Sequence, residues 1–162
     1  MEYRIVPLRD DFLRKVRNAG IDDQNQQVEV LLAKGGEPCR DVLRGAKPNE
    51  KLILASYCPF TKSGPYKEYG PVFVLEESNN EKFEESKLPL PTGSEQDYLG
   101  YTFVLKAYSK DERILDAKLT NPDEAKLVLK EFFANENVNF VLARYAAYGC
   151  YSFRVERADS NN

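Results

Sequence analysis

Residues 138–157 read VNFVLARYAAYGCYSFRVER, and this stretch decides the fold class. Val138, Phe140, Leu142 and Arg144 recur at the period of two that places side chains on one face of a strand. Tyr151, Phe153, Val155 and Arg157 repeat the pattern after a short link, 146–150, in which Gly149 is free to take positive φ. Working back from this hairpin, Tyr101, Phe103, Leu105 and Ala107 alternate with Thr102, Val104 and Lys106. Leu115, Ala117 and Leu119 alternate with Asp116 and Lys118 after a turn at Ser109–Glu112, which predicts a second hairpin. Between the hairpins lies the clearest helix. Asn121 caps it, Pro122 suits its first turn, and Ala125, Val128, Leu129, Phe132 and Phe133 form one apolar stripe.

The first half of the chain adds strands rather than a βαβ rhythm. Tyr3–Val6 reads as a strand, and Asp10 or Asp11 starts a helix that puts Phe12, Val16 and Ala19 on one face and ends at Gly20. Val28, Val30 and Leu32 predict a strand with one apolar face. Residues 39–45 predict a helical turn and loop, and Lys51–Tyr57 predicts a central strand. No G-x-G-x-x-G or P-loop is present. The expectation is an α+β fold, a mainly antiparallel β-sheet with hairpins packed by two main helices. Residues 1–157 are expected to form a single globular domain, with 76–96 as a long polar loop or lid and 158–162 as a flexible tail.

Composition excludes several functions. The formal net charge is −3, so no basic field favours nucleic acid. No apolar run reaches membrane-spanning length and the N-terminus lacks a signal-peptide core, which makes a cytoplasmic location the expectation. With no histidine in 162 residues, a Ser-His-Asp or Cys-His relay cannot form within the chain, nor can an imidazole zinc site. Three cysteines, Cys39, Cys58 and Cys150, are too few for a disulfide framework and read first as small core residues. No cofactor or metal is implied, and the oligomeric state stays open.

Candidate chemistry gathers around a few side chains. Arg144 shares a strand face with Phe140 and Leu142, so its guanidinium is either an anion clamp or the partner of a structural carboxylate. The run Tyr57–Val74 contains two X-Gly-Pro turns that should hold Tyr66 and Glu68 in a rigid loop. Cys150 follows Gly149 at the mouth of the last hairpin, and Arg40 stands beside Cys39. The expected pocket therefore draws on Arg144, Tyr66, Glu68, Cys150 and Arg40. A module binding a small anionic ligand is the first expectation. An enzyme using Cys150 or Glu68 as nucleophile or base is the second, and a protein-interaction domain using the acidic 76–96 segment is the third.

Four motifs occur in order: P-C-R-x-x-L (Pro38–Leu43), S-Y-x-P-F (Ser56–Phe60), P-Y-x-E-x-G-P-V-F-V (Pro65–Val74) and G-C-x-x-F-R-V (Gly149–Val155). From about Pro38 to Arg157 the chain resembles a bacterial family catalogued as domain of unknown function 1203. The resemblance implies a cytoplasmic domain with no assigned activity, and Arg144, Cys150 and Tyr66 stand at positions that match it. It also implies a second cysteine where Val42 stands, a histidine where Leu75 stands, and a further cysteine soon afterwards. This chain lacks all three, so a metal or thiol site at those positions does not carry over.

Overall fold

A computed structural model describes residues 2–90 and 98–158. Its strands are β1 (Tyr3–Val6), β2 (Glu29–Leu32), β3 (Pro38–Cys39), β4 (Arg44–Gly45), β5 (Lys51–Tyr57), β6 (Gly70–Leu75), β7 (Phe103–Ser109), β8 (Ile114–Thr120), β9 (Val138–Tyr145) and β10 (Tyr151–Arg157). Helix α1 (Asp10–Arg14) runs on through a π-helical turn, Lys15–Ala19, to Gly20 at φ 67°, and α2 spans Ala125–Ala134. The strands form two five-stranded sheets in the orders β1-β10-β9-β7-β8 and β2-β5-β6-β3-β4. All pairings are antiparallel except the short β3–β6 contact. The fold is α+β, as the hairpins require. Among the described residues no helix is long and apolar enough to cross a membrane.

The first sheet is covered on both faces. On one, the α2 stripe of Val128, Leu129, Phe132 and Phe133 packs against Phe103, Leu105, Val141 and Phe153. On the other, Tyr108, Phe140, Leu142 and Tyr151 meet Ile53, Tyr57 and Val72 of the second sheet, with Phe12 of α1 sealing the end. Asn121 does cap: its side chain accepts from the N–H groups of Asp123 and Glu124 at 3.0 and 3.1 Å. It caps the turn before α2, which starts at Ala125.

Two bulges correct the reading of the C-terminal faces. The β9–β10 register shifts between Tyr151 and Phe153, so Tyr151 faces the second sheet while Phe153 and Val155 face α2. The β7–β9 register shifts near Val138, which therefore packs on the α2 side, opposite Phe140 and Leu142. One inserted residue reverses the alternation beyond it.

Edge position overturns two further expectations. Val30 and Leu32 were expected on an apolar core face, yet they are 58% and 59% exposed, because β2 is the outer strand of its sheet. Leu115 and Leu119, on edge strand β8, are likewise exposed. The helical turn expected at 39–45 is present as a single i to i+4 bond, Leu43 N–H to Cys39 O, and the residues flanking it pair as the short strands β3 and β4. The described part of the polar segment, 76–90, packs down through Phe83, Leu88 and Leu90, and Glu85 O accepts from Ile5 N–H at 2.7 Å. The expectations for 91–96 and for the tail at 159–162 lie outside the described residues.

The β3–β4 turn is fastened electrostatically. Arg44 forks onto both carboxylate oxygens of Glu50 at 2.9 Å and reaches Glu81 through Nε at 2.8 Å. That fork holds the Glu50 carboxyl at about 2, against an ordinary 4.5. A carboxyl lowered in the fold takes up its proton more readily in the unfolded chain. Its contribution is therefore complete above about pH 4.5 and lost as pH falls towards 2. Urea titrations across that window should show the wild-type midpoint falling with acid. Glu50→Gln should begin less stable at neutral pH and lose less over the same window.

Candidate functional site

A cavity of about 530 Å³ lies at the outer face of the second sheet, under the β9–β10 link. Leu54 and Phe73, which are cross-strand partners on β5 and β6, line it together with Pro71. Tyr98 and Leu99 close one side, and Tyr145, Tyr148 and Cys150 of the β9–β10 hairpin close another. Arg40 enters from the β3–β4 turn and is the one charged side chain among the lining residues described.

The chain fixes Arg40 from several directions. Its N–H donates to Phe73 O at 2.9 Å, so the turn hangs from β6. The next residue, Asp41, accepts from Leu75 N–H and pairs with Arg17 of the π-helical turn at 2.8 Å. Leu43 closes the turn with its N–H on Cys39 O at 2.8 Å, in the left-handed region at φ 53°. That conformation is unusual for a branched side chain and marks local strain.

Arg40 is only 4% exposed. Its Nε donates to Tyr151 O at 2.9 Å, Nη1 donates to Pro38 O at 2.7 Å, and the guanidinium lies 5.2 Å from the centre of the Tyr145 ring. Among the described residues it has no carboxylate partner. A buried guanidinium held by carbonyls and an aromatic face keeps its full formal charge without a counter-ion, which is costly in a protein interior. The tyrosines around it are locked. Tyr98 donates its hydroxyl to Ser152 O at 3.1 Å, Tyr145 donates to Tyr98 O at 2.7 Å, and burial pushes the Tyr98 hydroxyl well above its ordinary pKa. Ser152 is the residue inserted at the β10 bulge, so the irregularity that turns Tyr151 inward also supplies this anchor.

Arg144 stands elsewhere. It is 8% exposed and forms an ion pair with Glu68, while Nη1 donates to Gly149 O at 3.3 Å. Of its two sequence readings, this geometry is that of the structural ion pair. Burial raises the nearby Tyr108 hydroxyl, and Arg144 partly offsets that rise. Tyr66 and Tyr69 are exposed, with Arg113 5.8 Å from the Tyr66 ring centre. The 61–69 loop is pinned at its base by Glu112, which accepts from Thr61 and Lys62 N–H groups at 2.9 Å. The structure thus brings Arg40 and Cys150 into one cavity, whereas Arg144, Tyr66 and Glu68 do not line it. Two of the three cysteines are interior: burial pushes the Cys39 thiol up to about 12, and burial also raises Cys58. Cys150 is half-buried at the cavity.

Sequence reasoning missed Tyr98, Tyr145 and Phe73 as site residues. Of these only Phe73 lies in a quoted motif, and Tyr98 and Tyr145 lie in none, but the motifs do supply much of the remaining wall. P-C-R-x-x-L supplies Pro38 and Arg40, G-P-V-F-V supplies Pro71 and Phe73, and G-C-x-x-F-R-V supplies Cys150. Residues 36–157 match the model of the family described as protein of unknown function (DUF1203). The chain belongs to the DUF1203 family. Neither a curated protein nor a solved structure matches it. Within this DUF1203 domain, positions 42 and 75, where the resemblance implied a cysteine and a histidine, hold Val42 and Leu75. Both pack with Cys39 in a small buried apolar cluster. Among the described residues no group of His, Cys, Asp and Glu side chains could hold a metal ion.

Proposed function

We propose that this DUF1203 domain is a small-molecule binding module whose ligand carries one anionic group and a flat or apolar body. One observation carries the reading: among the described residues, Arg40 is a buried arginine with no carboxylate partner and the sole charge of a cavity wall. An anionic ligand group would compensate that charge in a site of low dielectric, where a guanidinium donates strong hydrogen bonds. Tyr98, Tyr145, Tyr148 and Phe73 offer aromatic surface for the rest of the ligand, the composition expected of a cavity that buries a small molecule. The anion clamp anticipated at Arg144 thus moves to Arg40, because Glu68 already neutralises Arg144.

A thermal-shift panel of aromatic carboxylates, aliphatic carboxylates and phosphate esters tests the reading. At least one aromatic anion should raise the midpoint in a dose-dependent way, and its amide or alcohol analogue should not. The same compound should slow alkylation of Cys150, the half-buried thiol at the cavity, and leave Cys39 and Cys58 unreactive throughout. A panel without a stabilising anion, or a stabiliser that leaves Cys150 alkylation unchanged, refutes it.

A further inference from the structure

The two edges of the first sheet are treated differently. At β1 the chain covers its own edge, since Ile5 donates outward to Glu85 O. At β8 nothing comparable occurs: among the described residues this strand pairs with β7 alone. An edge strand of seven residues with free backbone groups is a template for another strand unless something blocks it. Here the exposed apolar side chains gather instead. Leu115 is 42% and Leu119 67% exposed on β8 itself. Leu127, 58% exposed, lies one helical turn before Glu131, the α2 residue that pairs with Lys118 of β8, so it borders the same edge.

The β8 sequence, ILDAKLT, is self-complementary when read against itself in the antiparallel direction. A two-fold axis through Ala117 places Asp116 opposite Lys118 of the second copy, and Lys118 opposite its Asp116. It also brings Leu119 towards Leu115 of the second copy, where Leu115 is the residue inserted at the β8 bulge as the β7–β8 register passes from Asp116 to Ile114. Cross-strand partners share a face, so both charge pairs fall on the α2 side, and Glu131 flanks each Lys118. The hydrogen-bond phase agrees. Ala117 N–H donates to its own neighbour's carboxylate, Asp116 Oδ1, at 2.8 Å, so it is not spent on β7 and is free to join a central pair across the axis. The other exposed apolar edge, β2 (EVLL), has no register that opposes unlike charges.

We propose that β8 is a homodimerisation edge, at which a second copy of this chain adds antiparallel and joins the two five-stranded sheets into one of ten. In the free chain Asp116 screens the Ala117 N–H. On association its carboxylate turns to Lys118 of the partner and releases that donor to the ladder. The contact is isologous and closes, as a two-fold interface must. It is independent of the Arg40 cavity, which is lined from the second sheet, residues 98–100 and the β9–β10 link.

Sedimentation equilibrium on the full chain reads the result. The wild type should show a concentration-dependent monomer–dimer equilibrium. Asp116→Lys and Lys118→Asp each bring like charges face to face at two symmetric positions. Each variant alone should raise the dimer Kd by about tenfold or more. Mixing the two single variants restores both unlike pairs across a heterodimer, so the mixture should associate like the wild type. The double variant Asp116→Lys/Lys118→Asp should regain self-association. Both side chains are exposed, and circular dichroism of each variant should match the wild type. A wild type that stays monomeric at its highest soluble concentration overturns the proposal. So do single variants that dimerise unchanged, or a mixture that fails to recover.

Discussion

Arg40→Met should raise the dissociation constant of an anion bound in the cavity by on the order of a hundred- to a thousandfold. The reason is the state of the guanidinium. Arg40 is 4% exposed, and among the described residues the groups it touches are carbonyl oxygens and the face of Tyr145, none of which compensates its charge as a bound anion would. Methionine keeps the apolar stem and its flexibility while removing the charge. The unliganded variant should unfold close to the wild-type midpoint, because two hydrogen bonds are lost as a buried charge is removed, and the two effects oppose one another. Loss of binding without loss of fold separates a ligand-holding residue from a structural one. Arg40→Lys should fall between the two proteins, since an ammonium keeps the charge but loses the planar fork. Arg144→Met provides the contrast. It breaks the pair with Glu68 and should destabilise the protein, while the ligand affinity of the remaining folded chain stays at the wild-type value. Isothermal titration of the three variants with one anion decides the matter. Undiminished binding by Arg40→Met would sink the assignment.

Arg144 and Arg40 also mark what the sequence can and cannot reveal. Arg144 was visible because strand period placed it with Phe140 and Leu142, and that much is right. Its partner, Glu68, lies 76 residues away on another loop, and no local pattern encodes such a pairing. Arg40 carried a weaker local signal, one arginine beside a buried cysteine in a two-residue strand and turn. Its burial comes from long-range contacts: Phe73 fixes its backbone, and the carbonyl of Tyr151 receives its Nε. The α2 stripe was fully legible, because all five residues at helical spacing are buried. Tyr151 and Val138 were not, because a bulge is defined by the partner strand and leaves the period of its own strand unmarked. Val30 and Leu119 failed for a related reason. Alternation shows which side chains share a face, but the strand order shows whether that face has a neighbour.

Phe140→Ala should destabilise the fold by about 3–5 kcal/mol, the largest stability effect expected of a single truncation here. Phe140 is 1% exposed at the meeting of the two sheets. Its ring stacks on Tyr108 with centroids 5.0 Å apart and planes 9° from parallel, and the Arg154 guanidinium lies 3.7 Å from its centre. Truncation therefore removes three things together: the buried ring, the stacking partner of Tyr108 and the face under Arg154. The surrounding strands cannot close over the space, because Phe140 sits on β9, which is bonded on both sides by β7 and β10. For a chain of this length the midpoint should fall by about 10 °C or more. Phe140→Leu, which refills much of the volume but neither stacks nor faces the cation, should recover more than half of the loss. The remainder then measures the aromatic contribution, for which about 1 kcal/mol is expected. Urea unfolding of the three proteins, with unchanged slopes, tests the ordering. If Phe140→Ala and Phe140→Leu are equally damaging, shape at the sheet junction, not buried volume, carries the stability. If both are mild, the contact between the sheets is not where this fold is held.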